Sequence, residues 1–154
     1  MSLTGGCACG AVRYQISQPP LFSHACHCTD CQRTTGSAFV INLVVVQTDL
    51  AVEGDMRAAS LPTDSGTGYD LHFCSACATV LWCQYGFHQV PIVAVRAGTL
   101  DDTSAIRPAA HIFVRSKQPW VRLDSNVPAF DEGYDRTKAW PAASLERYAN
   151  LPPK

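Results

Sequence analysis

Cysteine placement constrains this chain more than any other feature. Eight cysteines occur in 154 residues, and seven fall into three groups: Cys7-x-Cys9, Cys26-x-Cys28-x-x-Cys31 and Cys74-x-x-Cys77. The C-x-x-C spacing lets one tight turn present two thiolates about 4 Å apart, as a tetrahedral zinc about 2.3 Å from each sulfur requires. C-x-C reaches the same geometry at a strand end or in a tight loop. The competing reading is a disulfide framework. An odd clustered set disfavours it, and so does the start of the chain. Met1 to Gly5 carries neither the basic start nor the apolar stretch of a secretory leader. A cytoplasmic location is therefore expected, and reducing conditions there turn clustered cysteines toward metal.

Two distant pairs suffice for one closed four-thiolate site, so Cys7, Cys9, Cys74 and Cys77 are expected to form a structural zinc site that ties the N-terminal hairpin to mid-chain strands. Cys26, Cys28 and Cys31 then remain. Three protein ligands with a free fourth position are the pattern of a catalytic zinc. Spacing alone leaves other groupings open, and His24 or His27 are close enough in sequence to supply a fourth ligand. Cys83, inside the apolar run Val80-Leu81-Trp82-Cys83, reads as a buried thiol acting as a small hydrophobe.

Strand signals surround these groups. Val12, Tyr14 and Ile16 alternate with Ala11, Arg13 and Gln15, which makes residues 10–16 a half-buried strand. Further strands are expected over 21–26, 37–46, 49–55, 69–73, 79–85, 91–97 and 111–114. A turn or short helix is expected at 29–34, a loop at 62–68 and a short helix at 142–149. The fold class is thus mainly β with little helix. The length suits one domain spanning 1–154, with a core of about 5–122 and an irregular, proline-containing tail over 123–154.

Composition excludes two classes of partner. With 47% hydrophobic and 16% charged residues and a net charge of -1, the chain offers no basic stripe for nucleic acid. Its longest apolar run, Ala38 to Val46, is broken by Asn42 and falls short of the roughly 20 residues of a membrane span. Oligomeric state leaves no mark in the sequence.

The cysteine groups sit in recognisable surroundings. Gly6-Cys7-Ala8-Cys9-Gly10-Ala11-Val12-Arg13-Tyr14, Cys26-His27-Cys28-Thr29-Asp30-Cys31-Gln32-Arg33, Phe73-Cys74-Ser75-Ala76-Cys77, Ala97-Gly98-Thr99-Leu100-Asp101 and His111-Ile112-Phe113-Val114 occur in that order. Together they resemble the glutathione-dependent formaldehyde-activating enzyme family, which includes centromere protein V-like domains, over roughly Gly5 to Trp120. The resemblance implies several short coiled antiparallel β-sheets around a structural zinc on Cys7, Cys9, Cys74 and Cys77. It also implies a second, catalytic zinc on Cys26, Cys28 and Cys31. Two positions depart from the family: Ala78 stands where glycine is common, and His72 where arginine is frequent. If the backbone at Ala78 takes positive φ, its Cβ is strained.

A three-thiolate zinc carries a net charge of -1 and suits a substrate thiol as fourth ligand. The expected activity is a carbon-sulfur lyase type, forming or cleaving S-hydroxymethylglutathione from glutathione and formaldehyde. Glutathione has two carboxylates, so its site needs cations. Arg33 is the best placed in sequence, with Gln32 beside it as a hydrogen-bond donor. Arg13, Arg96, Arg115 and Lys117 read more simply as solvated surface charge. His27, between two ligands, is either a proton shuttle or a loop residue turned away. His88 and His111 default to structural roles, and Trp82, Tyr85 and Trp120 to core aromatics. Two other functions fit the same residues: a zinc domain that binds or carries glutathione or another small thiol without turnover, and a same-fold enzyme using another electrophile.

Overall fold

The computed structural model describes residues 2–63 and 66–154. Among these, ten strands and three α-helices follow one another along the chain. The strands are β1 (Leu3–Gly6), β2 (Arg13–Ile16), β3 (Phe22–Cys26), β4 (Val40–Val46), β5 (Leu50–Glu53), β6 (Met56–Leu61), β7 (Tyr69–Cys74), β8 (Val80–Tyr85), β9 (Ile92–Arg96) and β10 (His111–Ile112). The helices are α1 (Thr29–Thr35), α2 (Arg136–Ala139) and α3 (Ala142–Ala149). The fold is mainly β, as the alternation and turn pattern predict.

The strands form two sheets, one ordered β1-β2-β5 and the other β10-β3-β4-β9-β8-β7-β6. All neighbours are antiparallel except the edge pair β10 and β3. Val12, Tyr14 and Ile16 turn inward from the small sheet, as their period of two requires. They pack on Leu43, Val45, Leu81, Val93 and Val95 of the large sheet. Each fully buried aliphatic side chain there contributes about 1.5–3 kcal/mol. The β5–β6 turn needs Gly54: its φ is +105°, and a Cβ there would run into the Ala11 carbonyl.

Sequence patterning misses β6 and α2. The residues of β6 are mostly exposed, and its interior, Arg57-Ala58-Ala59-Ser60, alternates nothing. It is an edge strand held by its register on β7. The loop expected at 62–68 separates β6 from β7, and its Asp64 and Ser65 lie outside the described residues.

The last thirty residues are short on regular structure but not on packing. Trp140 is buried against Leu21, Phe22, Val44 and Ile92, and Phe130, Tyr134, Leu145, Tyr148 and Leu151 pack on the same cluster. Phe22 stacks on Trp140 at 6.0 Å and meets Tyr134 edge-on at 5.0 Å. The tail thereby covers the face of β3 and β4 that leads to the second cysteine group. No helix among the described residues is long and apolar enough to cross a membrane.

Candidate metal centres and the cavity beside one of them

The seven grouped cysteines gather into two clusters, and in each all sulfurs lie within 4.8 Å of one another. The first joins Cys7 and Cys9, in the β1–β2 loop, to Cys74 at the end of β7 and Cys77 in the β7–β8 turn. Cys7 Sγ lies 3.5 Å from Cys9 Sγ, and Cys9 Sγ lies 3.9 Å from Cys74 Sγ. These distances suit four sulfurs around one tetrahedral zinc and are far beyond a disulfide bond. Backbone N–H groups already point at the sulfurs: Val12 donates to Cys7 Sγ at 3.2 Å and Ala76 to Cys74 Sγ at 3.4 Å. At Cys7, where burial opposes charge, the Val12 bond works toward the thiolate. The turn that aims Cys77 passes through Ala78 at φ 58°. The strain expected of an alanine at this position is therefore present.

The second cluster is Cys26, Cys28 and Cys31. β3 delivers Cys26, Cys28 caps α1, and Cys31 follows one turn later. The Cys31 N–H donates to Cys28 Sγ at 3.3 Å, and Gly36 ends the helix at φ 63°. The donor set fits a soft divalent cation. Three sulfurs this close cannot all carry charge without a cation to offset it. Hydrogen bonds from Cys26 and then Cys31 draw Cys28 down to about 2, while the bonds to Cys28 and then Cys31, with burial after them, push Cys26 up. A dication lets all three be thiolates at once. Among the described residues no histidine or carboxylate joins the three sulfurs.

Both histidines near this cluster are otherwise engaged. His27 is fully buried and turned away, with Nε2 3.1 Å from His111 Nδ1; burial lowers its pKa to about 4. His24 ends a relay. Arg96 Nη1 donates to Asn42 Oδ1 at 2.5 Å, which turns the Asn42 amide so that Nδ2 donates to His24 Nε2 at 3.4 Å. An arginine only donates, so this fixes the His24 proton on Nδ1, 3.1 Å from the Tyr134 hydroxyl. Burial lowers His24 to about 4 and raises Tyr134 to about 12, so both are neutral near pH 7.

Arg96 corrects the sequence reading of surface charge. It is only 4% exposed, and among the described residues its Nε and Nη2 have no nitrogen or oxygen partner. Burial works against its charge, but nearby Cys83, Cys31 and Tyr85 outweigh it and keep the guanidinium protonated. Its place at the end of the apolar run Ile92-Val93-Ala94-Val95 does not by itself distinguish a buried arginine from a solvated one. Trp120 also departs from expectation: it is 70% exposed rather than core. Gln32 is spent on structure, with Nε2 donating to the His27 and Ser116 carbonyls and Oε1 accepting from Gln118. Arg33 is exposed on α1.

The three thiols stand in the wall of a cavity of about 830 Å³. His24, Tyr85, Arg115, Tyr134 and Arg136 also line it, and Gln32, Arg33 and the four-cysteine cluster do not.

The sequence profile of the glutathione-dependent formaldehyde-activating enzymes matches residues 2–116. The chain belongs to the glutathione-dependent formaldehyde-activating enzyme family. A curated Halomonas elongata protein carrying the same family name is 31% identical over 132 residues, covering 81% of this chain and 83% of that one. A crystal structure of a Rhodobacter sphaeroides protein is 21% identical with a TM-score of 0.47, covering 68% of this chain and 91% of that chain. Both cysteine clusters lie inside the segment that carries the glutathione-dependent formaldehyde-activating enzyme pattern, whereas Tyr134, Arg136, Trp140 and Tyr148 lie beyond it.

Proposed function

We propose that this chain joins a small thiol, glutathione foremost, to an aldehyde carbon and cleaves the same carbon-sulfur bond in reverse. In this reading Cys7, Cys9, Cys74 and Cys77 hold a structural zinc, and Cys26, Cys28 and Cys31 hold a second zinc beside the reacting atoms. The observation that carries it is a cluster of only three thiols set in the wall of a large cavity. Family membership supports the same chemistry.

Zinc bound at the three thiols supplies a centre that lowers a thiol's pKa and keeps it anionic near neutral pH. The chain's own residues do the rest. The cavity walls hold sulfur and carbonyl carbon together, and proximity is the main gain for an addition this facile. Tyr134 accepts from His24 Nδ1–H, so its own proton is free to serve the oxygen that becomes the adduct hydroxyl. Arg96 places a fixed positive charge behind Cys31 and offsets the anionic cluster. Arg136 and Arg115, the latter also paired with Glu132, stand at the cavity as the cations for the glutathione carboxylates; Gln32 fixes the ligand loop by holding the His27 carbonyl.

Exchange NMR on glutathione and formaldehyde tests this. Protein with zinc restored should speed interconversion with the hydroxymethyl adduct, and Cys31→Ser should lose the effect while keeping the native circular dichroism. Undiminished exchange in Cys31→Ser would refute the assignment.

A further inference from the structure

A one-carbon electrophile needs almost no room, yet the cavity at the three thiols encloses about 830 Å³. Ligand cavities of this size hold drug-sized molecules and bury most of their surface. Much of its wall away from the sulfurs is apolar: Val44, Ile92, Ala94 and Ile112 from the sheet, and Trp140 and Tyr148 from the tail. Phe87, 52% exposed, stands at its edge and packs on Tyr85 with ring centroids 5.3 Å apart. Glutathione is polar throughout, so this surface has no counterpart on it.

The tail residues are the informative ones. Tyr134, Trp140 and Tyr148 come from the segment after residue 116, beyond the stretch that matches the family, and they reach the wall that also carries Cys26, Cys28 and Cys31. Trp140 is held against Phe22 and Tyr148. The Arg136 guanidinium lies 4.4 Å from the centre of the Tyr148 ring, and no carboxylate among the described residues forms an ion pair with it. A cation clamped on an aromatic at the cavity wall gives a carboxylate a partner next to the apolar surface.

We infer that the cavity takes glutathione adducts whose carbon part is bulky and apolar, an aromatic or long-chain aldehyde standing where formaldehyde would. This rests on the reading of the three-thiol cluster as the place where the carbon-sulfur bond forms. The thiol sulfur bonds to the carbonyl carbon, the carbonyl π bond opens, and the thiol proton ends on the oxygen as a hydroxyl. Reversal returns thiol and aldehyde, and no oxidant or reductant is consumed. The glutathione carboxylate meets Arg136, and the aldehyde's apolar part lies along Ile92, Trp140 and Tyr148.

Thioethers of glutathione mimic such adducts without reacting. Calorimetric titration of zinc-loaded protein with S-methyl-, S-butyl- and S-hexylglutathione should show affinity rising with chain length. Each methylene buried is worth about fourfold; S-hexyl adds five to S-methyl, so burial of only half of them predicts at least about a thirtyfold gain. Gly133 lines the cavity and a Cβ there meets open space, so Gly133→Trp should flatten the rise by filling the volume. Phe87→Ser, at an exposed position, should weaken it and serves as the second variant. A flat series with S-methylglutathione still bound overturns the bulky-substrate inference and leaves the glutathione reading standing. The same series on N-acetylcysteine separates the opposite case: an equal rise on both thiols keeps the apolar pocket and removes glutathione. No binding by any member overturns both.

Discussion

The two cysteine clusters use the same chemistry in opposite surroundings. Cys7, Cys9, Cys74 and Cys77 come from two hairpins in different sheets, and their sulfurs meet only because the chain has folded. Cys26, Cys28 and Cys31 come from one six-residue segment, need little beyond the start of α1 to meet, and face a cavity. In the proposed reading the first cluster stores folding energy in a metal, and it has four sulfurs to close around one. The second has three ligands, a buried cation behind it and room in front. In the proposed reading, ligand count and sequence span together separate a site that holds the fold from one that meets a substrate.

The sharpest way to break this contrast is to remove one sulfur from each side. Structural zinc binds with an apparent energy on the order of 10 kcal/mol, against a total stability of about 5–15 kcal/mol for a domain. Cys74→Ser should accordingly give a chain without a cooperative thermal transition, read by circular dichroism. Cys31→Ser should keep its transition within about 5 °C and lose aldehyde-thiol exchange by at least about a hundredfold. Equal damage to the fold from both would erase the distinction.

Arg96 tests why the second cluster tolerates its charge. Its guanidinium is buried beside Cys31 and Cys83. Arg96→Met retains volume and removes the charge. Zinc retention at the three-thiol cluster, measured by chelator competition, should fall about tenfold, or about 1.4 kcal/mol, with the four-thiol cluster unchanged. A smaller effect is expected at the other cluster from Ala78→Gly. Left-handed backbone costs a Cβ-bearing residue about 1–2 kcal/mol, and glycine gives part of that back in unfolded-chain entropy. Urea denaturation should therefore show a gain of about 0.5–1 kcal/mol, because Ala78 sits at φ 58°.

Sequence pattern carried the β-rich architecture, the strand that presents Val12, Tyr14 and Ile16, and the grouping of cysteines, because each rests on short spacing. It carried the positive φ at Ala78 through the family's glycine at that place. It did not carry Tyr134, Arg136, Trp140 or Tyr148 at the cavity, since these share its wall with Cys26 and Cys31 from about a hundred residues further along the chain and only tertiary packing brings them there. Arg96 was misread for a related reason. A lone arginine ending an apolar strand looks the same in sequence whether it reaches solvent or a buried anion. Arg33 shows the converse: proximity in sequence to Cys31 places it on an exposed face of α1, away from the cavity wall.

Stepwise zinc removal followed by native mass spectrometry, with near-ultraviolet circular dichroism recorded on the same samples, tests the division of labour most directly. Freshly reduced protein should carry two zincs. The first should leave at low chelator concentration with the aromatic signal intact and should be missing from Cys31→Ser. The second should leave only as that signal collapses. Release of both zincs together with unfolding, or two zincs retained in Cys31→Ser, would contradict the account.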